Sequence, residues 1–247
     1  MTKDPGRSLL TRGKILEHAE AGDIVIRPFN EKNVKTTSYD VRLGKWHFRK
    51  SRSGEKSRDG LMPMFNPFRK EEVDRYWGTA IEAEPVTMWR QRGYDMDPLP
   101  DAARVIVLYP LETILAHTVE FIGGRTCVST EMRARSTMGR IGVTICKCAG
   151  WGDLGYINRW TMEITNHNED ACVPLVVGMR LGQIIFYKVD PLKESYAAEH
   201  GKYQTSDQID EIMRSWRPEA MLPKLYKDDE LVTGFPADDV VDKEKAA

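Results

Sequence analysis

A chain of 247 residues with 41% hydrophobic and 30% charged side chains can bury a sizeable core and is not a disordered tail. Basic and acidic residues number 36 and 37, so the formal net charge of −1 excludes a nucleic-acid coat or a membrane-surface role. No apolar run nears the roughly 18 residues of a membrane span, the N-terminus lacks a signal-peptide core, and Cys127, Cys146, Cys148 and Cys172 have no disulfide-scaffold spacing, so a cytoplasmic protein with reduced thiols is expected.

Residues 1–12 read as a loose leader. Lys14–Ala21 reads as a short helix stopped by Gly22-Asp23, and Asp23–Phe29 as a strand ending at a Pro-containing bend. Ser38–Leu43 alternates, with Tyr39, Val41 and Leu43 on one face and Ser38, Asp40 and Arg42 on the other. From Lys45 the character changes. Lys45–Arg58 carries six basic residues against one acid, and Pro63, Pro67, Pro85, Pro98 and Pro100 follow. An insertion at about 45–104, outside the core, is expected, with its basic run a solvated loop and Trp77, Trp89 and Tyr94 packed onto something.

Strand character returns at Val105–Tyr109 and Thr113–Ile122, with Gly123-Gly124 as a turn. Ile141–Ala149 and Trp160–Asn166 alternate on either side of a turn rich in Gly and Asp, and Leu181–Val189 follows Pro174 and Gly178. Many short strands between turn signals predict a mainly β sandwich or distorted barrel in one domain spanning 1–247. Thr205–Gln208 offers a capping box for a helix carrying Ile209, Ile212, Met213 and Trp216. The charged tail from Lys224 to Ala247 is expected to be mobile or docked on a neighbour.

Some patterns carry less than their letters suggest. Gly150-Trp-Gly152-Asp-Leu-Gly155 matches a dinucleotide fingerprint, but a strand pattern follows where that motif needs a helix, so a turn is expected. His18-Ala19-Glu20 matches half of a zinc deaminase signature whose Pro-Cys-x-x-Cys half is missing, and His18 reads as a surface helix residue. Cys146 and Cys148 share a strand face without a neighbouring His in sequence, and no Gly-x-Ser-x-Gly elbow accompanies Ser136.

Two stretches carry chemistry. Arg135-Ser136-Thr137-Met138-Gly139-Arg140 reads as the start of a single helical turn, whose free N–H groups suit a phosphate equally well as an ordinary side-chain cap. Glu163 sits in a strand between Met162 and Ile164, and shares its face with Thr161 and Thr165. By itself it fits either a surface ion pair or a partly desolvated acid–base group.

The first stretch resembles the phosphate motif of the dUTPase/dCTP deaminase superfamily, Arg-Ser-Ser followed after two residues by Arg-Leu-Gly. Ile24–Phe29, Thr37–Gly44, Leu115–Glu120, Gly178–Gln183 and Gly201–Gln204 resemble further motifs of that family in the same order. Asp153-Leu-Gly-Tyr156 is similar to its dUTPases, and Thr161-Met-Glu163-Ile-Thr-Asn166 to its deaminases, with Ala149 at their small residue beside the pyrimidine. The dUTPases' Arg/Gly-rich C-terminal arm is missing, so the deaminases are the better fit. The resemblance implies a dUTPase-like jelly-roll barrel, a homotrimer with sites at subunit contacts, and conversion of dCTP or a related deoxynucleotide to dUTP and ammonia. Glu163, Arg140 and Ser136 would be catalytic. Arg135, Thr137, Ala149, Asp153, Thr161, Tyr196, Lys202, Tyr203 and Gln208 would bind substrate. It implies Mg2+ bound through substrate phosphates, no zinc and no polymer of nucleic acid as partner. A bifunctional deaminase/dUTPase giving dUMP and pyrophosphate, or a nucleotide-binding regulatory trimer, are the alternatives. Leu154 for a usual Pro, Asn158 for Gly, and Ser206 where a phosphate-facing Gln is usual are departures that leave the phosphate clamp open.

Overall fold

The computed structural model describes residues 8–51, 64–192, 196 and 201–234. Helix α1 (Arg12–Ala21) ends where Gly22 adopts a left-handed backbone with φ 84°. A residue without a β-carbon takes that conformation at no steric cost, which is why the helix stops there. Strands β1 (Ile24–Arg27), β2 (Ser38–Arg49), β3 (Ile81–Glu82), β6 (Thr113–Gly124), β7 (Val128–Ala134), β8 (Val143–Thr144), β9 (Trp151–Gly152), β10 (Ile157–Asn166) and β12 (Arg180–Lys188) form one antiparallel sheet. Its path runs β8-β10-β6-β2-β12-β7-β9, with β1 also on β6 and β3 on β2. A second, three-stranded sheet orders β11 (Val173–Val176), β5 (Arg104–Leu108) and β4 (Glu84–Pro85).

The two sheets share the main core. Ile106 and Leu108 of β5 and Leu175 of β11 pack with Tyr39, Val41, Ile114, Met162, Ile164, Ile184 and Phe186 of the large sheet. The alternate residues of β5, Val105 and Val107, face the other way, onto Val86 and Trp89 of α3 (Val86–Gln91) and onto Met96. Period-two alternation thus serves two cores from one strand. The mainly β expectation holds, as a curled sheet closed on one side by a smaller one.

Several expectations are corrected. Strand β2 continues through Arg49, so the basic run begins inside the sheet, with His47 and Phe48 buried; residues 52–63 of that run lie outside the described residues. The expected insertion is not peripheral. Val73 and Trp77 of α2 (Lys70–Trp77) join Phe48, Leu115, Met221 and Leu222 in a second cluster. Gly123 and Gly124 are not a turn but the end of β6, paired with β1 and, through Gly123, with Ile157. A Cβ on Gly123 would lie 1.9 Å from the Tyr156 carbonyl oxygen, so glycine lets two backbones approach. Of Ile141–Ala149 only Val143–Thr144 pairs as a strand.

His18 is not a free surface residue. Its Nδ1 lies 2.8 Å from Asp23 Oδ2, and those two with Cys127 bring three ligand-type atoms within 4.8 Å of one another. The expected capping box shifts by a residue or more. Helix α5 (Ile209–Ser215) starts after Gln208, whose N–H donates to Ser206 Oγ, and Ser206 donates in turn to Glu211. The described part of the tail lies on its own chain, since Lys202 pairs with Asp228 and Lys224 Nζ donates to the Lys202 carbonyl at 2.9 Å. The expected loose leader is not loose where it is described, since Leu10 is buried in the main core and its N–H donates to the Phe186 carbonyl at 2.9 Å; residues 1–7 and the tail from 235 lie outside the described residues.

Candidate active site

The site is built on β10. Met162 and Ile164 are fully buried in the main core, so alternation turns Thr161 and Glu163 to the opposite face. There a cavity of about 430 Å³ opens. Glu163, Asp153 and Thr161 supply its polar groups together with the tyrosines Tyr156, Tyr196 and Tyr203. Ala149, Trp77, Leu115, Trp151, Trp160, Met221 and Pro223 complete the lining.

A carboxylate among so many apolar groups loses hydration. Burial pushes the Glu163 carboxyl above its ordinary range, opposed only by backbone hydrogen bonds and the charge of Lys147. The Lys147 N–H donates to Glu163 Oε2 at 3.4 Å. No cation forms an ion pair with this carboxylate among the described residues, which sets it apart from Glu120, buried and paired with Arg42 at 2.6 Å. Cys146 stands close enough for the Glu163 charge to act on it. Burial first, then that charge, push its thiol up to about 11, so it is protonated at neutral pH.

The far end of the cavity is held by residues downstream. Gln204 is buried; its Oε1 accepts from the Ile157 N–H at 2.7 Å and its Nε2 donates to the Gly155 carbonyl at 2.7 Å. This clamp fixes the start of β10 and carries Tyr203 to the lining beside it. Tyr196 meets Tyr156 edge-on at 5.3 Å, and Tyr156 meets Trp160 at 5.7 Å. The turn Trp151–Gly155 places Asp153 at the rim, exposed. Of the fingerprint-like glycines, Gly155 sits in the turn before β10 with φ 85°, whereas Gly152 belongs to β9, paired with Thr130.

Glu163, Asp153, Ala149, Thr161, Tyr196 and Tyr203 are thus brought together. The others stand elsewhere. Helix α4 (Ser136–Arg140) is a single turn, as expected, but neither Ser136 nor Thr137 caps it with its side chain. Ser136, Thr137 and Arg140 are exposed and lie outside the cavity lining. Arg135 donates to the Arg180 carbonyl at 3.0 Å and stands 3.8 Å from the buried Asp40 carboxylate, itself paired with Arg180 at 2.9 Å. The Arg135 N–H donates to the Leu181 carbonyl at 3.0 Å and the Met138 N–H to the Arg135 carbonyl at 2.9 Å. Lys202 is engaged by Asp228 and Gln208 precedes α5, both outside the lining. The aromatic and apolar walls, Trp77, Leu115, Trp151, Trp160, Met221 and Pro223, were not foreseen as site residues. The one available signal was the tryptophan content of the stretch before residue 104.

Against known proteins, a family model described as dCTP deaminase-like matches residues 9–189. A protein of Nanoarchaeum equitans (strain Kin4-M) named "dCTP deaminase, dUMP-forming" is 27% identical over 197 residues, covering 79% of this chain and 91% of its own. One of Halorubrum lacusprofundi named "dCTP deaminase" is 30% identical over 203 residues, covering 81% of this chain and 87% of its own. Among solved structures, the 2'-deoxycytidine 5'-triphosphate deaminase from Agrobacterium tumefaciens aligns with a TM-score of 0.48 and 16% identity over 73% of this chain and 49% of that one.

Proposed function

This chain belongs to the dCTP deaminase-like family, and we propose that it hydrolyses the C4 amine of dCTP, with Glu163 as the proton-transfer group. The observation that carries this reading is a desolvated carboxyl without an ion-pair partner, projecting from β10 into a nucleotide-sized cavity. A carboxyl held above its ordinary range keeps enough basicity to take a proton and returns it readily near neutral pH.

In the proposed reaction, Glu163 takes a proton from water as its oxygen bonds to C4, and N3 of the ring receives a proton. A second proton passes from the water-derived hydroxyl through Glu163 to the amine. The C4–N bond then breaks, ammonia leaves and a C4 carbonyl remains. The Ala149 carbonyl would orient the water and Asp153 the sugar hydroxyl. Tyr196 and Lys202 would meet the phosphates, Lys202 after exchanging its partner Asp228. Glu163 and Asp153 are the carboxylates of the described lining. Mg2+ prefers oxygen ligands and keeps several waters, so it would be held through substrate phosphate oxygens and would neutralise phosphate charge. Zinc has no part in the proposed step.

We also infer a homotrimer. Ser136, Thr137 and Arg140 on α4, with Arg135 just before it, do not line their own chain's cavity, which is the arrangement needed if they complete a neighbour's site. A second reading, onward hydrolysis to dUMP and pyrophosphate, is favoured by Asp153 at the same cavity and by relatives named "dUMP-forming". Incubation with dCTP and magnesium, followed by ammonia assay and separation of dUTP from dUMP, tests both. Ammonia with dUTP supports deamination alone, ammonia with dUMP supports the second reading, and no ammonia refutes the proposal.

A further inference from the structure

Polarity around Glu163 is lopsided. Along β10 its same-face neighbour is Thr161, a hydroxyl. Across the ladder its register partner is Leu115 of β6. Directly opposed residues of an antiparallel pair project to the same face, so Leu115 stands beside the carboxylate. Leu115 belongs not to the main core but to the second cluster, with Phe48, Val73, Trp77, Met221 and Leu222. Leu115, Trp77 and Met221 also line the cavity, and Pro223 extends the same wall. Trp77 comes from α2, within the stretch that had no recognisable motif. Met221 and Pro223 lie beyond residue 189, where the family match ends. An apolar wall next to the reacting group is therefore assembled from α2 and from a segment beyond the family match.

The chemistry of the base says what meets that wall. This step rests on the deaminase reading above, which places C4 at Glu163. C4 has two ring neighbours, N3 and C5. N3 must receive a proton, so it belongs on the hydroxyl-bearing side, toward Glu163 and Thr161. C5 then turns toward Leu115, Trp77 and Met221. An unsubstituted C5 presents a single C–H to three large side chains, whereas a methyl group there would be removed from water against all of them.

We propose that the substrate class of this site includes cytosine nucleotides methylated at C5, and that it converts 5-methyl-dCTP and water to dTTP and ammonia. The bonds made and broken are those of the dCTP reaction: water oxygen bonds to C4, the C4–N bond breaks and ammonia carries off the amine. The methyl group is untouched and no oxidant or reductant is needed.

The test compares kcat/KM for dCTP and 5-methyl-dCTP in the wild-type enzyme and in Met221→Ala and Trp77→Phe. One methyl group in an apolar pocket is worth about 10-fold or more in discrimination. The wild type is expected to use 5-methyl-dCTP at least as well as dCTP, and by about 10-fold or more where the methyl is fully enclosed, mainly through KM. Each variant should lower the ratio of the two, Trp77→Phe by less because it keeps an aromatic ring. A purely structural loss would lower both substrates together and leave the ratio alone, which would overturn the assignment of this wall. A wild-type preference for dCTP by more than about 10-fold would overturn the proposal while leaving the deaminase reading intact. No ammonia from either nucleotide would overturn that reading, and this proposal with it.

Discussion

Glu163→Gln separates chemistry from packing more sharply than any other change at this site. The amide keeps the size and reach of the carboxyl but cannot take a proton from water or return one to N3 or the amine. General acid–base catalysis of this kind contributes about 10²–10⁴ in rate, equivalent to about 3–5 kcal/mol of barrier. The nucleotide-free protein should respond in the opposite direction. Burial raises the folded-state pKa of Glu163, so its contribution to stability is complete below the unfolded carboxylate value and is lost as pH rises through the folded one. At neutral pH the buried charge is therefore a cost. Each tenfold change in proton affinity between the folded and unfolded chain corresponds to about 1.4 kcal/mol, or roughly 3–6 °C in Tm for a chain of this size. The variant should melt higher at pH 7 and no higher at pH 4. Asp153, Tyr196 and Tyr203 are unchanged, so dCTP should still bind. Ammonia release, calorimetric titration with dCTP and thermal melts at the two pH values measure all three effects. Turnover near the wild-type rate would refute the role given to Glu163, and an unchanged Tm at pH 7 would refute the desolvation argument.

Arg135→Ala should weaken dCTP binding before it slows turnover; in a trimer with shared sites, its mixture with Glu163→Gln should regain up to about a quarter of wild-type activity after subunit exchange. Light scattering that gives an active monomer, or mixing without recovery, counts against the shared site. Removing magnesium with EDTA should reduce deamination, and magnesium alone should restore it, whereas a zinc-selective chelator should leave the rate of the folded enzyme unchanged. Recovery that requires zinc would contradict this. His117, pushed down to about 4 by burial, donates from Nδ1 to the Thr118 carbonyl and accepts the Trp46 N–H at Nε2. That neutral ring contributes stability above pH ~6.5 that is lost as pH falls toward 4. Denaturant melts of His117→Gln should show a shallower loss over that window, and an identical slope would place the acid sensitivity elsewhere, for instance at His47, pushed down to about 3.

The strands that alternate cleanly against one core were legible. Ser38–Leu43 and Trp160–Asn166 place alternate residues in and out of the main core, and both lie within observed strands. Elsewhere alternation reported burial without reporting pairing. Val143 and Ile145 are buried as their spacing required, yet the ladder stops at Thr144. Beyond Leu43, the continuation of β2 was hidden by Gly44 and the basic residues after it. Its register shifts between Leu43 and His47, and a Cβ on Gly44 would lie 2.0 Å from the His117 ring. That glycine marks a close approach of a side chain from β6, which a single strand read alone cannot announce. Strand β7 was missed for a related reason. Val128, Ser129 and Thr130 are all buried, because both faces of that stretch are covered, so it lacks a period of two.

At the site, what was legible was what one strand or turn carries by itself: Thr161 and Glu163 on one face of β10, and Asp153 on the turn before it. The environment that raises the Glu163 pKa was not. A glutamate two residues from a threonine on a strand face is equally a solvated ion pair, and the difference lies in Leu115, Trp77 and Met221, drawn from distant parts of the sequence. These side chains displace water, and displaced water raises the carboxyl's pKa against the opposing backbone hydrogen bonds and the charge of Lys147. In the proposed orientation the same apolar surface meets whatever stands at C5 of the substrate. Catalytic tuning and base selection would then share one wall, so a substitution that enlarges the pocket would also rehydrate Glu163. Specificity at this site cannot be relaxed by cutting back Trp77 or Met221 without lowering the basicity on which the proposed proton transfers depend.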